Sequence, residues 1–194
     1  MEEKREFLME GRRELWREFI SHLGVTVIYL LIVSLLTRSF SLRFWIGGIV
    51  GMPILDIDHL LYLFMNSEEK SCQKYFRIWR EKKYPKAIFY LASLHKNDNQ
   101  KKLLHNGFFG MVWAVLCLLV LIINRGLFQM GLMLSVYIHI LKDIIEDLSD
   151  MEHLKEWLFW PLKKTISNRT TIIYVNLLII QFLLLTGIAF YLVT

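Results

Sequence analysis

The chain has 194 residues, 55% of them hydrophobic, and a net charge of +5. One domain is expected at this length, and the long apolar runs exclude an ordinary soluble enzyme in favour of a multi-pass membrane protein. The positive residues lie between those runs, so they indicate a membrane surface and not a nucleic acid as partner; the two cysteines, Cys72 and Cys117, form no CxxC pair and exclude a disulfide framework or a zinc ribbon.

Residues 1–20 predict an amphipathic helix at the membrane interface. Leu8, Leu15, Trp16 and Phe19 fall near one face, with Arg5, Arg12, Arg13 and Arg17 around it, a composition suited to a headgroup layer. This stretch has no short apolar core followed by a small-residue cleavage site, so no removable signal peptide is expected. A first span runs from about Phe19 to Thr37 and carries His22 near its start. A second runs from about Phe44 to Met65. Its Gly47, Gly48 and Gly51 permit close helix approach. Its Pro53 frees a backbone carbonyl and predicts a bend just before Asp56, Asp58 and His59.

Residues 66–102 read as a basic cytosolic loop holding two short interfacial helices, broken at Pro85. Cys72, Tyr75, Phe76 and Trp79 repeat at helical spacing, as do Ile88, Leu91 and Ala92; each segment is too short and too charged to cross a bilayer. A third span, about Leu103 to Asn124, has His105 near its start. A fourth, Leu127 to about Leu148, holds His139, Lys142 and Asp143. The loop 149–170 carries Trp157, Phe159 and Trp160 beside Lys163 and Lys164, as in an aromatic belt. A fifth span covers Ile172 to Val193. The expected fold is therefore all-α: a single membrane domain, 1–194, of about five transmembrane helices plus interfacial ones.

Orientation follows from the basic residues. Lys and Arg number five at the N-terminus, ten in the loop 66–102 and four in the loop 149–170, against only Arg38, Arg43 and Arg125 on the other side. The positive-inside rule then predicts a cytosolic N-terminus in a plasma or inner membrane. This topology brings His22, Asp56, Asp58, His59, His105, His139 and Asp143 to the cytosolic leaflet, with nothing comparable in the outer halves.

A carboxylate at the bilayer centre costs roughly 2.5–3.5 kcal/mol on insertion scales. Leaving several there calls for a metal, an ion path or a substrate. His139 and Asp143 are spaced i, i+4, and Asp56 and His59 i, i+3, so each pair shares a helix face. Asp58 points about 100° from His59, which makes it a second-metal ligand, a group behind the ligands, or a base. Imidazole and carboxylate without thiolate suit zinc, with manganese or magnesium as alternatives.

Several pieces together resemble the family of predicted membrane-bound metal-dependent hydrolases typified by the YdjM inner-membrane protein. These are Ser21-His22-Leu23 opening an apolar helix, Ile54-Leu55-Asp56-Ile57-Asp58-His59, His105 in LLHNGFFG, Tyr137-Ile138-His139 with Asp143, and Trp160-Pro161. Leu55 stands where the family motif has proline, Gln100 where it has the first His of its H-R motif, and Asn106 where it has Ser; His95 is the available substitute for that His. The resemblance implies a hydrolase whose metal ligands are His22, Asp56, His59, His105, His139 and Asp143. Asp58 would orient the attacking water or take its proton. Lys101 and Lys102, flanking His105 in sequence, would hold the phosphate of an amphiphilic phosphoester lipid. The alternative is a non-enzyme in which the same cluster binds a structural metal or forms an ion path. A path calls for polar groups in the outer halves, and these are nearly absent.

Overall fold

A computed structural model of the protein describes residues 2–95, 103–123, 126–162 and 164–193. Among them every regular element is helical: α1 (Glu2–Thr37), α2 (Leu42–Gly51), α3 (Ile57–Met65), α4 (Lys70–Arg80), α5 (Tyr84–His95), α6 (Gly107–Ile123), α7 (Leu127–Glu146), α8 (Met151–Leu158) and α9 (Asn168–Val193), with short 3-10 turns at Met52–Ile54, Asp147–Ser149 and Trp160–Leu162.

Among the described residues, four stretches are long and apolar enough to cross a membrane: Gly11–Thr37, Leu42–Met65, Leu127–Ser149 and Asn168–Leu192. Helix α6 is apolar but has 17 residues, at the lower edge of what a bilayer core requires. The expected third span is shorter than its apolar run for a local reason. Asn106 caps α6, its Oδ1 accepting the Phe109 amide at 2.9 Å, so the helix starts at Gly107 and not at Leu103. At α9 the opposite happens. Ser167 Oγ accepts the Thr170 amide at 3.2 Å, and this cap starts the helix four residues before the expected Ile172.

The interfacial helix expected over residues 1–20 is not a separate element. Nothing between Arg12 and Gly24 breaks a helix, and α1 runs from Glu2 straight into the first span. Helix α1 also packs on α5. The expected pair of short helices within 66–102 is present as α4 and α5. Their break falls at Glu81–Lys83, where Lys82 takes a φ of 58°, and Pro85 sits inside the first turn of α5, where its missing N–H costs nothing. Leu63, Cys72, Tyr75, Ile78, Ala87 and Tyr90 bury together as a small core of their own.

Helix α7 is the inner helix of the bundle. Two thirds of its apolar window is buried, against about a third for each of the other three spans. Backbone-to-backbone contact sets its crossing with α2. A Cβ on Gly47 would fall inside the envelope of the Phe128 carbonyl, one on Gly51 inside that of the Leu132 carbonyl, and one on Gly131 inside that of the Phe44 carbonyl. Small residues at this spacing let two helices touch without side chains between them. Two aromatic polar tips inside the bundle find backbone partners. Trp113 Nε1 donates to the Met133 carbonyl, and Tyr137 Oη to the Leu178 carbonyl.

Candidate metal centre

The α2–α7 crossing ends where Pro53 interrupts the second span. The Asp56 amide turns to the Pro53 carbonyl at 3.1 Å, a 3-10 pattern in place of the α-helical bond to Met52. The Met52 carbonyl accepts instead from His139 Nδ1, at 2.7 Å. A carbonyl can only accept, so the proton of this imidazole is on Nδ1 and its Nε2 is turned the other way. That Nε2 lies 3.4 Å from Asp143 Oδ2 and 3.9 Å from Asp56 Oδ1.

His22 is built on the same plan. Its Nδ1 donates to the Glu18 carbonyl at 2.9 Å, one turn earlier on α1, and its Nε2 is 2.9 Å from Asp143 Oδ1. His105 completes the set from the turn before α6. Its Nδ1 lies 3.3 Å from Asp58 Oδ2, and its Nε2 3.6 Å from Asp143 Oδ2. Three largely buried imidazoles from three parts of the chain thus have Nδ1 on an acceptor and Nε2 on one carboxylate.

Asp58 is what holds that turn. It is only 1% exposed. Its oxygens accept the backbone amides of Leu103 at 3.0 Å, Leu104 at 2.7 Å and His105 at 3.0 Å, besides the His105 ring. Asp58 was expected as a base or as the group orienting water. In the structure Oδ1 accepts from the Leu103 amide and Oδ2 from the Leu104 and His105 amides and the His105 ring, so the carboxylate stands behind His105 and anchors its turn, one of the places the sequence allowed it.

Among the described residues, two groups of donor atoms lie close enough to share an ion: His22, His139 and Asp143, and Asp56, His105 and His139. Donors ~2.0–2.2 Å from a tetrahedral ion lie roughly 3.3–3.6 Å from one another. The Nε2–Oδ separations around Asp143 are 2.9, 3.4 and 3.6 Å. The His22 and His139 rings have centroids 3.8 Å apart, so two imidazolium charges there would repel by about 4 kcal/mol at an effective dielectric of ~20. A divalent cation satisfies the same lone pairs without that repulsion, and the donor set of imidazole and carboxylate fits one.

Five of the six expected ligands therefore meet: His22, Asp56, His105, His139 and Asp143. His59 is in neither group. Its ring centroid lies 5.9 Å from that of His105. Lys101 and Lys102 lie outside the described residues, as does the side chain of His95. His153 stands apart, 3.6 Å from Asp147.

Beside the centre is a group the sequence did not single out. Lys142 Nζ is 2.6 Å from Glu146 Oε2, 3.0 Å from Glu18 Oε2 and 3.6 Å from Asp143 Oδ1. Ser21 Oγ donates to Glu146 at 3.3 Å. The i, i+4 spacings Glu18–His22 and Lys142–Glu146 were the available signal.

No protein-family model, curated protein or solved structure matches the chain.

Proposed function

We propose that the protein is a membrane-embedded, metal-dependent hydrolase of the YdjM-like kind, with its centre at the cytosolic leaflet of the plasma or inner membrane. In this reading the chain crosses the membrane five times, α6 included, with the N-terminus cytosolic, as the distribution of Lys and Arg favours. The observation that carries the reading is the shared orientation of His22, His105 and His139. Histidines that bind metal characteristically give their other ring N–H to a carbonyl or carboxylate, and all three do so.

Zinc is the ion the donors favour, with manganese or magnesium as alternatives. Such an ion supplies Lewis acidity and makes water a nucleophile near neutral pH. The chain's own residues supply the rest. His22, His139 and Asp143 would hold the ion from inside the bundle, with His105 Nε2 3.6 Å from the same carboxylate. Asp58 is a positioning residue, fixing the tautomer and the angle of His105. Asp56, with its side chain 54% exposed, is the open side of the centre. A catalytic site keeps a coordination position for water and substrate, and this exposed side is where they would enter. Asp56 is therefore the group placed to take a proton from water or to meet the substrate. The substrate class is an amphiphile, with a phosphoester lipid preferred, because a water-soluble substrate needs no centre embedded in lipid. Lys101 and Lys102 would hold its phosphate.

The test is metal analysis of detergent-purified protein followed by phospholipid hydrolysis, with and without chelator. At least one equivalent of zinc and chelator-sensitive release of a phosphoester product are expected. Protein that carries no metal and binds none when offered it would defeat the metal reading. Bound metal with no hydrolysis of any phospholipid class would transfer the reading to a structural metal.

A further inference from the structure

Asp143 faces imidazole nitrogens on both of its oxygens and an ammonium on one. Oδ2 is turned to His105 and His139, and Oδ1 to His22 and to the Lys142 ammonium. The lysine side chain is only 4% exposed. Three carboxylates surround its Nζ: Glu146 at 2.6 Å, Glu18 at 3.0 Å and Asp143 at 3.6 Å. A buried ammonium with three carboxylates around it is in the electrostatic position of a metal ion. A carboxylate that bridges two cations is in turn the feature that joins paired metal sites, whose ions lie ~3.5–4 Å apart.

We infer that Lys142 is a built-in substitute for a second metal ion, so that the centre takes one divalent cation and not two. The inference rests on the metal reading above and adds a stoichiometry to it. Electrostatics give the reason. With Lys142 in place, a second divalent ion among Glu18, Asp143 and Glu146 would meet a fixed positive charge at the same spot. Without it, three carboxylates from α1 and α7 face one another with nothing between them, and oxygen-only donor sets of this kind favour manganese or magnesium over zinc. Ser21, on Glu146, holds the α1 side of this arrangement in place.

The experiment is metal stoichiometry on the full-length protein, by elemental analysis and native mass spectrometry, in wild type, Lys142→Gln and the triple variant Lys142→Gln/Glu18→Gln/Glu146→Gln. Each is titrated with zinc and with manganese. The expected results are one equivalent in wild type, a second manganese equivalent in Lys142→Gln, and its loss in the triple variant. Two equivalents in wild type would overturn the inference while leaving the metal reading standing. No equivalent in wild type would defeat the metal reading itself. One equivalent in both wild type and Lys142→Gln would show that the lysine excludes nothing. Should Lys142→Gln fail to fold, Lys142→Met carries the same test, a second manganese equivalent supporting the inference and a single one overturning it, and Lys142→Arg, which keeps the charge, should stay at one.

Discussion

Asp143→Asn tests the centre most directly, because every imidazole in it is turned towards that one carboxylate. The change keeps the shape and removes the charge. Asp143 lies 2.9 Å from His22, 3.4 Å from His139 and 3.6 Å from His105. Taking one charged partner out of a largely buried network of this kind costs about 3–5 kcal/mol, which at ~1.4 kcal/mol per tenfold is roughly two to four orders of magnitude in metal affinity. Membrane insertion should survive, since a neutral amide is cheaper in lipid than a carboxylate. The assay is zinc affinity by competition with a chelator, with helix content followed by circular dichroism. Asp147→Asn is the control. Asp147 accepts from Trp157 Nε1 at 2.7 Å and is in neither donor group; an amide oxygen keeps that bond, and the affinity should hold within about threefold. Equal metal content in wild type and both variants would refute the reasoning. It would mean that Asp143 is neutralised by Lys142 and a charged imidazole alone.

Asp58→Ala strips the acceptor from three backbone amides and a ring N–H. At ~1–3 kcal/mol for each buried donor left unpaired, the cost should reach roughly 3 kcal/mol or more, read as a lowered thermal midpoint. Zinc affinity should fall about 10- to 100-fold through the loosened His105, and a variant that melts and binds like wild type would contradict the anchoring role. Gly47→Ala should push α2 off α7 and cost about 1–3 kcal/mol, with weaker metal binding because the Met52 carbonyl moves away from His139. Gly24→Ala, whose Cβ meets nothing within 4 Å, should be neutral or slightly stabilising. Similar melting of the two alanine variants would remove the glycine contacts from the account.

Much of the fold could be read from hydropathy, because apolar length is a property of the sequence alone. The first, second, fourth and fifth expected spans lie in stretches long enough to cross, and the amphipathic pair α4 and α5 is where its spacing put it. The misreadings have a common cause. Where a helix starts depends on a cap, and caps are side-chain hydrogen bonds that hydropathy does not register. Asn106 moved the start of α6 towards the C-terminus and Ser167 moved that of α9 towards the N-terminus. The amphipathic start of α1 looked like a separate element because its polarity changes at Phe19. A change in polarity does not break a backbone that lacks proline or a run of glycine.

The candidate centre was legible as a set of residue types at one depth, but its internal order was not. Spacing rules assume an unbroken α-helix, and they held for His139 and Asp143 within α7. Before α3 the assumption does not hold, because Pro53 breaks the winding there. That same break is what completes the centre. By turning the Asp56 amide away, it leaves the Met52 carbonyl for His139, and so decides which nitrogen of His139 faces Asp143. Asp58 lies just past the break, where its carboxylate reaches the turn at Leu103–His105 and not the other ligands. Two acids two positions apart therefore take different places. Asp56 is left at the open side, near the donors. Asp58 is sent behind His105, where it fixes the ring that its neighbour's charge would otherwise attract.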